Sequence, residues 1–201
     1  MSGWLKRVFG KPPKTVVVVS GLPRSGTSMM MKMLEAGGLP VLIDGIRAAN
    51  EDNPKGYYEF ERVKKLPEGD TEWLDEAVGK VVKIITQLVI HLPDSHAYKV
   101  LVMRRSIPEI LASQAKMLER RGEAGGDVSD AQMTELFERH LKQVYAWMEQ
   151  QPNVEYMDVS YNEALADPIP TIERLQAFLG GDLDTAAMAA VVDPGLYRNR
   201  G

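Results

Sequence analysis

The chain has 201 residues, with 24 Lys+Arg against 28 Asp+Glu and a formal net charge of -4. Apolar residues make up 44% and charged residues 26%, ordinary globular usage that excludes disordered and fibrous architectures. The absence of cysteine excludes a disulfide scaffold, a thiolate metal site and a cysteine nucleophile. No apolar run approaches the ~20 residues a membrane span needs, and no signal-peptide pattern opens the chain. A cytoplasmic protein is the expectation. Mild acidity argues against nucleic-acid binding, which needs a basic face. The charge is uneven: residues 1–14 hold +4 through Lys6, Arg7, Lys11 and Lys14, and the remainder holds -8. We therefore read 1–14 as a basic N-terminal segment and 15–201 as one domain.

Taken in chain order, the β-branched run Thr15-Val16-Val17-Val18-Val19 predicts a strand buried on both faces. A glycine-rich turn follows, then a helix from Ser28 to Ala36 that Gly37-Gly38 stops. Residues 39–70, rich in Pro, Gly and charge, read mostly as loop. Residues 80–85 read as a second strand and Tyr98 to Met103 as a third. Ser106 and Glu109 have capping-box spacing before the next helix, with Pro108 in its first turn. Residues 119–130 read as a surface loop. Ser129 with Gln132 opens a helix whose apolar stripe is Met133, Leu136, Phe137, Leu141, Val144 and Met148. Residues 153–159 make a fourth strand. Asp167-Pro168 starts a last helix, closed by Gly180-Gly181. Strands alternating with helices predict an α/β domain with a parallel sheet covered on both sides.

The turn Gly21-Leu22-Pro23-Arg24-Ser25-Gly26-Thr27-Ser28 lies between a buried strand and a helix. Backbone N–H groups at a helix N-terminus form an anion cradle, helped by the helix dipole. Gly21 and Gly26 match the spacing of the nucleotide-triphosphate loop G-x-x-x-x-G-K-[ST], but Thr27 stands where that loop has lysine. A phosphate ligand other than a triphosphate fits better.

Val17 to Leu34, centred on Pro23-Arg24-Ser25-Gly26-Thr27-Ser28, resembles the 5'-phosphosulfate loop of the sulfotransferase family, whose donor is 3'-phosphoadenosine 5'-phosphosulfate (PAPS). Tyr98 to Arg105, followed eight residues later by Ser113, resembles the family's 3'-phosphate site. Asn53-Pro54-Lys55-Gly56-Tyr57-Tyr58-Glu59 and the stretch from Val159-Ser160-Tyr161 to Phe178-Leu179-Gly180 are similar to segments of bacterial members. The resemblance implies a P-loop-like three-layer α/β/α fold with a mostly parallel central sheet. It also implies sulfuryl transfer from PAPS, with adenosine 3',5'-bisphosphate (PAP) as product, to a hydroxyl or amine of a small-molecule or glycan acceptor. Ser25, Gly26, Thr27 and Ser28 would hold the 5' side of the donor. Arg105 and Ser113 would hold its 3'-phosphate, with Arg198 as a further arginine.

Sulfuryl transfer is an in-line displacement in which positioning and charge stabilisation do most of the catalysis. Arg24 is the expected cation at the departing phosphate oxygen. Val81-Val82-Lys83 resembles the strand-end lysine of the animal cytosolic enzymes, so Lys83 is the second expected catalytic group. Those enzymes carry a histidine two positions later, where this chain has Ile85. Glu59 is therefore the expected base, ahead of Glu51, Glu61 and His91; the alternative is that Glu59 pairs with a neighbouring base. His140 falls beside the apolar stripe of its helix and reads as structural. The sequence offers no metal cluster, and the chemistry needs none. Met29, Met30, Met31 and Met33 read as packing behind the loop. Membrane contact through residues 1–14 is the weaker reading of that segment. The alternatives are an ATP-dependent small-molecule kinase, which Thr27 disfavours, and a silent nucleotide-binding protein of the same fold.

Overall fold

A computed structural model describes residues 14–45, 58–122 and 128–192 of the chain. The readings placed on residues 1–13, Glu51, residues 53–57, residues 123–127 and Arg198 lie outside the described residues. Four strands form one parallel sheet: β1 (Thr15–Gly21), β2 (Val81–Lys83), β3 (Ala97–Arg104) and β4 (Val154–Ser160), in the order β2-β1-β3-β4. The register pairs Val17 with Val81 on one side of β1 and with Lys99 on the other. The chain leaves β1 for β2 at one edge, then returns to β3 on the opposite flank. This reversal parts the loops after β1 and β3, and parallel sheets bind ligands in such a crevice.

The helices are α1 (Thr27–Ala36), a 3-10 helix (Glu61–Glu68), α2 (Leu74–Ala77), α3 (Thr86–Val89), α4 (Ile107–Arg121), α5 (Asp130–Gln150), α6 (Tyr161–Ala166), α7 (Pro168–Leu179) and α8 (Thr185–Val191). Alternation along β1 divides them between two layers. Val17 and Val19 pack with Met30, Met31, Met33 and Leu34 of α1, and with Ile172, Leu175 and Met188 of α7 and α8. Val16 and Val18 point the other way, towards Leu66, Trp73, Val89, Val144 and Met148. Each buried valine contributes about 1.5–3 kcal/mol relative to exposure. The methionines of α1 fill the space behind the glycine turn as expected, with Met30, Met31 and Met33 at 0% exposure.

Several boundaries differ from the sequence reading, each for a local reason. β2 stops at Lys83, and two residues on Ile85 stands at the N-cap position of α3, where the chain turns into the helix. Within 39–70, the 3-10 helix was not expected: Pro67 and the charged residues hide Val63 and Leu66, which both reach the core. α6 and α8 were also missed, although each carries a cap in plain view. Ser160 accepts a hydrogen bond from the Glu163 N–H, and Asp184 from the Ala187 N–H. The Ser129–Gln132 capping box forms as read. The Ser106–Glu109 box does not; the Ser106 side chain makes no cap bond, and the Glu109 carboxylate is engaged elsewhere.

Candidate active site

The turn after β1 holds its shape through backbone hydrogen bonds. The Ser25 N–H donates to the Leu22 carbonyl at 3.1 Å, and the Met30 N–H to the Gly26 carbonyl at 3.2 Å. Gly26 is the N-cap of α1 at φ 101°, and a Cβ there would lie 2.4 Å from the Tyr161 ring. Glycine is thus required by backbone angle and by space together. Arg24 sits at φ 69°, a left-handed conformation that costs a non-glycine residue energy and recurs at functional sites. Leu22 anchors the turn from below against Ile110 of α4 and Leu141 of α5.

The end of β3 meets this turn directly. Arg105 Nη1 donates to the Arg24 carbonyl oxygen at 3.1 Å, and Arg24 Nε donates to Ser113 Oγ at 3.1 Å. The structure therefore brings Arg24, Arg105 and Ser113 into one hydrogen-bonded unit, although Arg24 comes from a different loop. Arg105 is buried at 7% side-chain exposure and pairs with Glu109 Oε2 at 2.9 Å. Its guanidinium lies over the Tyr161 ring, 4.6 Å from the centroid. Glu109 Oε1 accepts from Asn162 Nδ2 at 2.9 Å. Sequence reasoning missed Glu109, Tyr161 and Asn162 as parts of the site. The signal for Glu109 was its place four residues after Arg105, one turn along α4.

A second group gathers at the end of β2. Tyr58, at φ 53°, donates its hydroxyl to Glu35 of α1 at 2.5 Å. Burial, then the Glu35 carboxylate, push the Tyr58 phenol well above its ordinary pKa, so it stays protonated as the donor. The Asp44 N–H donates to the Glu59 carbonyl at 3.3 Å, and Asp44 Oδ2 accepts from the Glu61 N–H at 2.6 Å. So pinned on both sides, Glu59 places Oε1 3.9 Å from Lys83 Nζ, with side chains 21% and 9% exposed. Glu61 instead faces Lys64. His91 is exposed, following α3.

His140 does not behave as a plain core histidine. Its Nε2 lies 2.9 Å from Oγ1 of Thr86, the first residue of α3 and three positions after Lys83. Burial pushes the His140 imidazole below its ordinary pKa, favouring the neutral ring.

Two serines, one just before the turn and one within it, carry an orphaned hydroxyl. Ser20 Oγ and Ser25 Oγ are buried without a hydrogen-bond partner, at 1% and 0% residue exposure. Such donors are costly when unsatisfied, and an anion on the loop would satisfy them. Among the described residues, no three His, Asp or Glu side chains are grouped to hold a metal ion, and no helix is long and apolar enough to cross a membrane.

Comparison with known proteins places the fold. The fold matches sulfotransferase STF1 from Mycobacterium tuberculosis at TM-score 0.59 and 17% identity, covering 92% of this chain and 74% of that one. Retinol dehydratase, solved in complex with androsterone and the inactive cofactor PAP, aligns at TM-score 0.47 and 19% identity over 95% of this chain. This chain covers 66% of that protein, slightly under two thirds of its length. The sulfotransferase domain of the Synechococcus olefin synthase aligns at TM-score 0.48 and 15% identity, covering 96% of this chain and 85% of that domain. No curated protein matches at a significant level. The family model described as "Sulfotransferase family" matches residues 57–185, a span that begins beyond the glycine turn and contains Glu59, Lys83, Arg105 and Ser113. Well over half of the chain thus follows that pattern: the chain belongs to the sulfotransferase family.

Proposed function

We propose that the chain transfers a sulfuryl group from PAPS to a hydroxyl or amine acceptor, as a cytoplasmic enzyme of bacterial type. The observation that supports this most strongly is the direct joining of the two donor loops, Arg105 to the Arg24 carbonyl and Arg24 to Ser113. Residues expected on opposite ends of one nucleotide, from turns some 80 positions apart, are already assembled.

Each residue then has a task. Ser25, Gly26, Thr27 and Ser28 offer backbone and hydroxyl donors at the start of α1 to the 5' side of the donor. Ser113 accepts from Arg24 and so keeps its own O–H to donate to a 3'-phosphate oxygen. Arg105, locked by Glu109 and Tyr161, supplies fixed positive charge there. Arg198 is the proposed further arginine. Arg24 stabilises the charge left on the departing phosphate oxygen, and Lys83 does the same beside the transferring group. Of the two roles open to Glu59, the contact with Lys83 supports the partner role: it holds the ammonium group in place. The acceptor is a small molecule or a glycan, on the side of Lys83.

Calorimetric titration with PAP, beside ATP with and without magnesium, tests the reading. Binding of PAP in the micromolar range, insensitive to magnesium, is the expected result. Binding of magnesium-ATP alone would overturn it in favour of a kinase.

A further inference from the structure

We propose that His140, held by Thr86, receives the proton of the acceptor during sulfuryl transfer; this rests on the function proposed above. The two residues come from segments more than fifty positions apart and meet at 2.9 Å. Thr86 is 1% exposed, so the bond is sheltered from water. Three residues of chain span at most about 10 Å, which keeps the pair at the same strand end as Lys83. The neighbour of His140 on α5, Leu141, packs on Leu22 immediately after β1. His140 is tied, through Thr86, to the end of β2 that carries Lys83.

The bonding pattern accommodates the tautomer a base needs. With the Thr86 hydroxyl donating to Gln87 Oε1, 3.4 Å away, Thr86 Oγ1 accepts from His140 Nε2–H. Nδ1 then carries a lone pair and no proton. A neutral imidazole with one nitrogen anchored as donor and the other an acceptor is the form a general base requires. Glu59 suits the task less well, because its charge is set against the Lys83 ammonium. Ile85, between Lys83 and Thr86, has no group that titrates.

The step balances as follows. The acceptor O–H proton passes to His140 Nδ1 while the acceptor oxygen forms a bond to sulfur. The bond from sulfur to the bridging oxygen breaks, and its electron pair remains on the 5'-phosphate of PAP. The imidazolium then releases its proton to solvent.

The test uses PAPS with two probe acceptors, phenol and 4-nitrophenol, at mildly alkaline pH where the second is mostly ionised. His140→Gln should lower kcat on phenol by about 100-fold, the usual range for loss of a general base, and leave 4-nitrophenol within about threefold. Thr86→Val should lose about tenfold on phenol, and Thr86→Ser should restore the rate. PAP affinity of each variant, unchanged from the parent, shows that the donor site has survived. An equal fall on both phenols, or none on phenol, overturns the proposal. If neither phenol reacts, hydrolysis of PAPS by water supplies the rate, and an undiminished rate in His140→Gln overturns it too. Failure of the parent chain to bind PAP is a different result and overturns the sulfotransferase reading itself.

Discussion

The two halves of the proposed active site are built by different rules. On the donor side, the turn after β1 and the end of β3 are short contiguous motifs on adjacent strands, tied by hydrogen bonds between Arg24, Arg105 and Ser113. Behind them stand a buried ion pair and a packed tyrosine ring. On the acceptor side, Lys83 and Thr86 leave the sheet at edge strand β2, and each finds its partner in a remote segment: Glu59 from the stretch before the 3-10 helix, His140 from α5. A nucleotide that is always the same can be met by fixed, local geometry. An acceptor that varies within a fold is met by pieces that can change independently.

Substitutions can break this contrast at graded strength. The largest effect is expected from Glu109→Ala, which removes the carboxylate that both Arg105 and Asn162 bond. A loss of about 3–5 kcal/mol in denaturant unfolding is expected, together with loss of PAP binding. The isosteric Glu109→Gln keeps one acceptor oxygen, so it can retain one of the two hydrogen bonds and should lose less. Next comes Gly26→Ala, whose methyl group collides with Tyr161 at a backbone angle unsuited to alanine; about 1–3 kcal/mol is expected, again with weaker PAP binding. Ser113→Ala removes one hydroxyl from the joint and should weaken PAP roughly 10- to 100-fold by calorimetry, with little change in stability. The smallest effect belongs to Ser129→Ala, at the start of α5 and outside the donor joint. Loss of its cap should cost about 1 kcal/mol and leave PAP affinity unaltered, which separates stability from donor binding.

The same contrast explains what could be read from the residues. Strand β1, the glycine turn, α1, β3 with Arg105 and Ser113, and the start of α5 were legible because each signal lies within one segment. Glu109 was misread as a cap residue, since its spacing from Ser106 fits a capping box; only the folded chain shows Arg105 and Asn162 claiming both carboxylate oxygens. Lys83 and Glu59 were each singled out, but nothing in their spacing pairs them. His140 looked structural because its helix neighbours are apolar. The apolar stripe of α5 in fact divides: Leu141, Val144 and Met148 are buried, whereas Leu136 is 42% exposed, so His140 lies where the stripe runs off the core.

Tyr161 touches both sides of the donor joint, with Gly26 against its ring edge and Arg105 across its face. It opens α6, directly after β4 in the chain, so the size allowed at residue 26 is set by a side chain encoded much later in the gene. Chimaeras that exchange only the glycine turn between members of this family should therefore misfold locally, unless the residue at 161 travels with it. Exchanges at the Lys83 edge carry linkages of their own, so Glu59 and His140 must travel with Lys83 and Thr86.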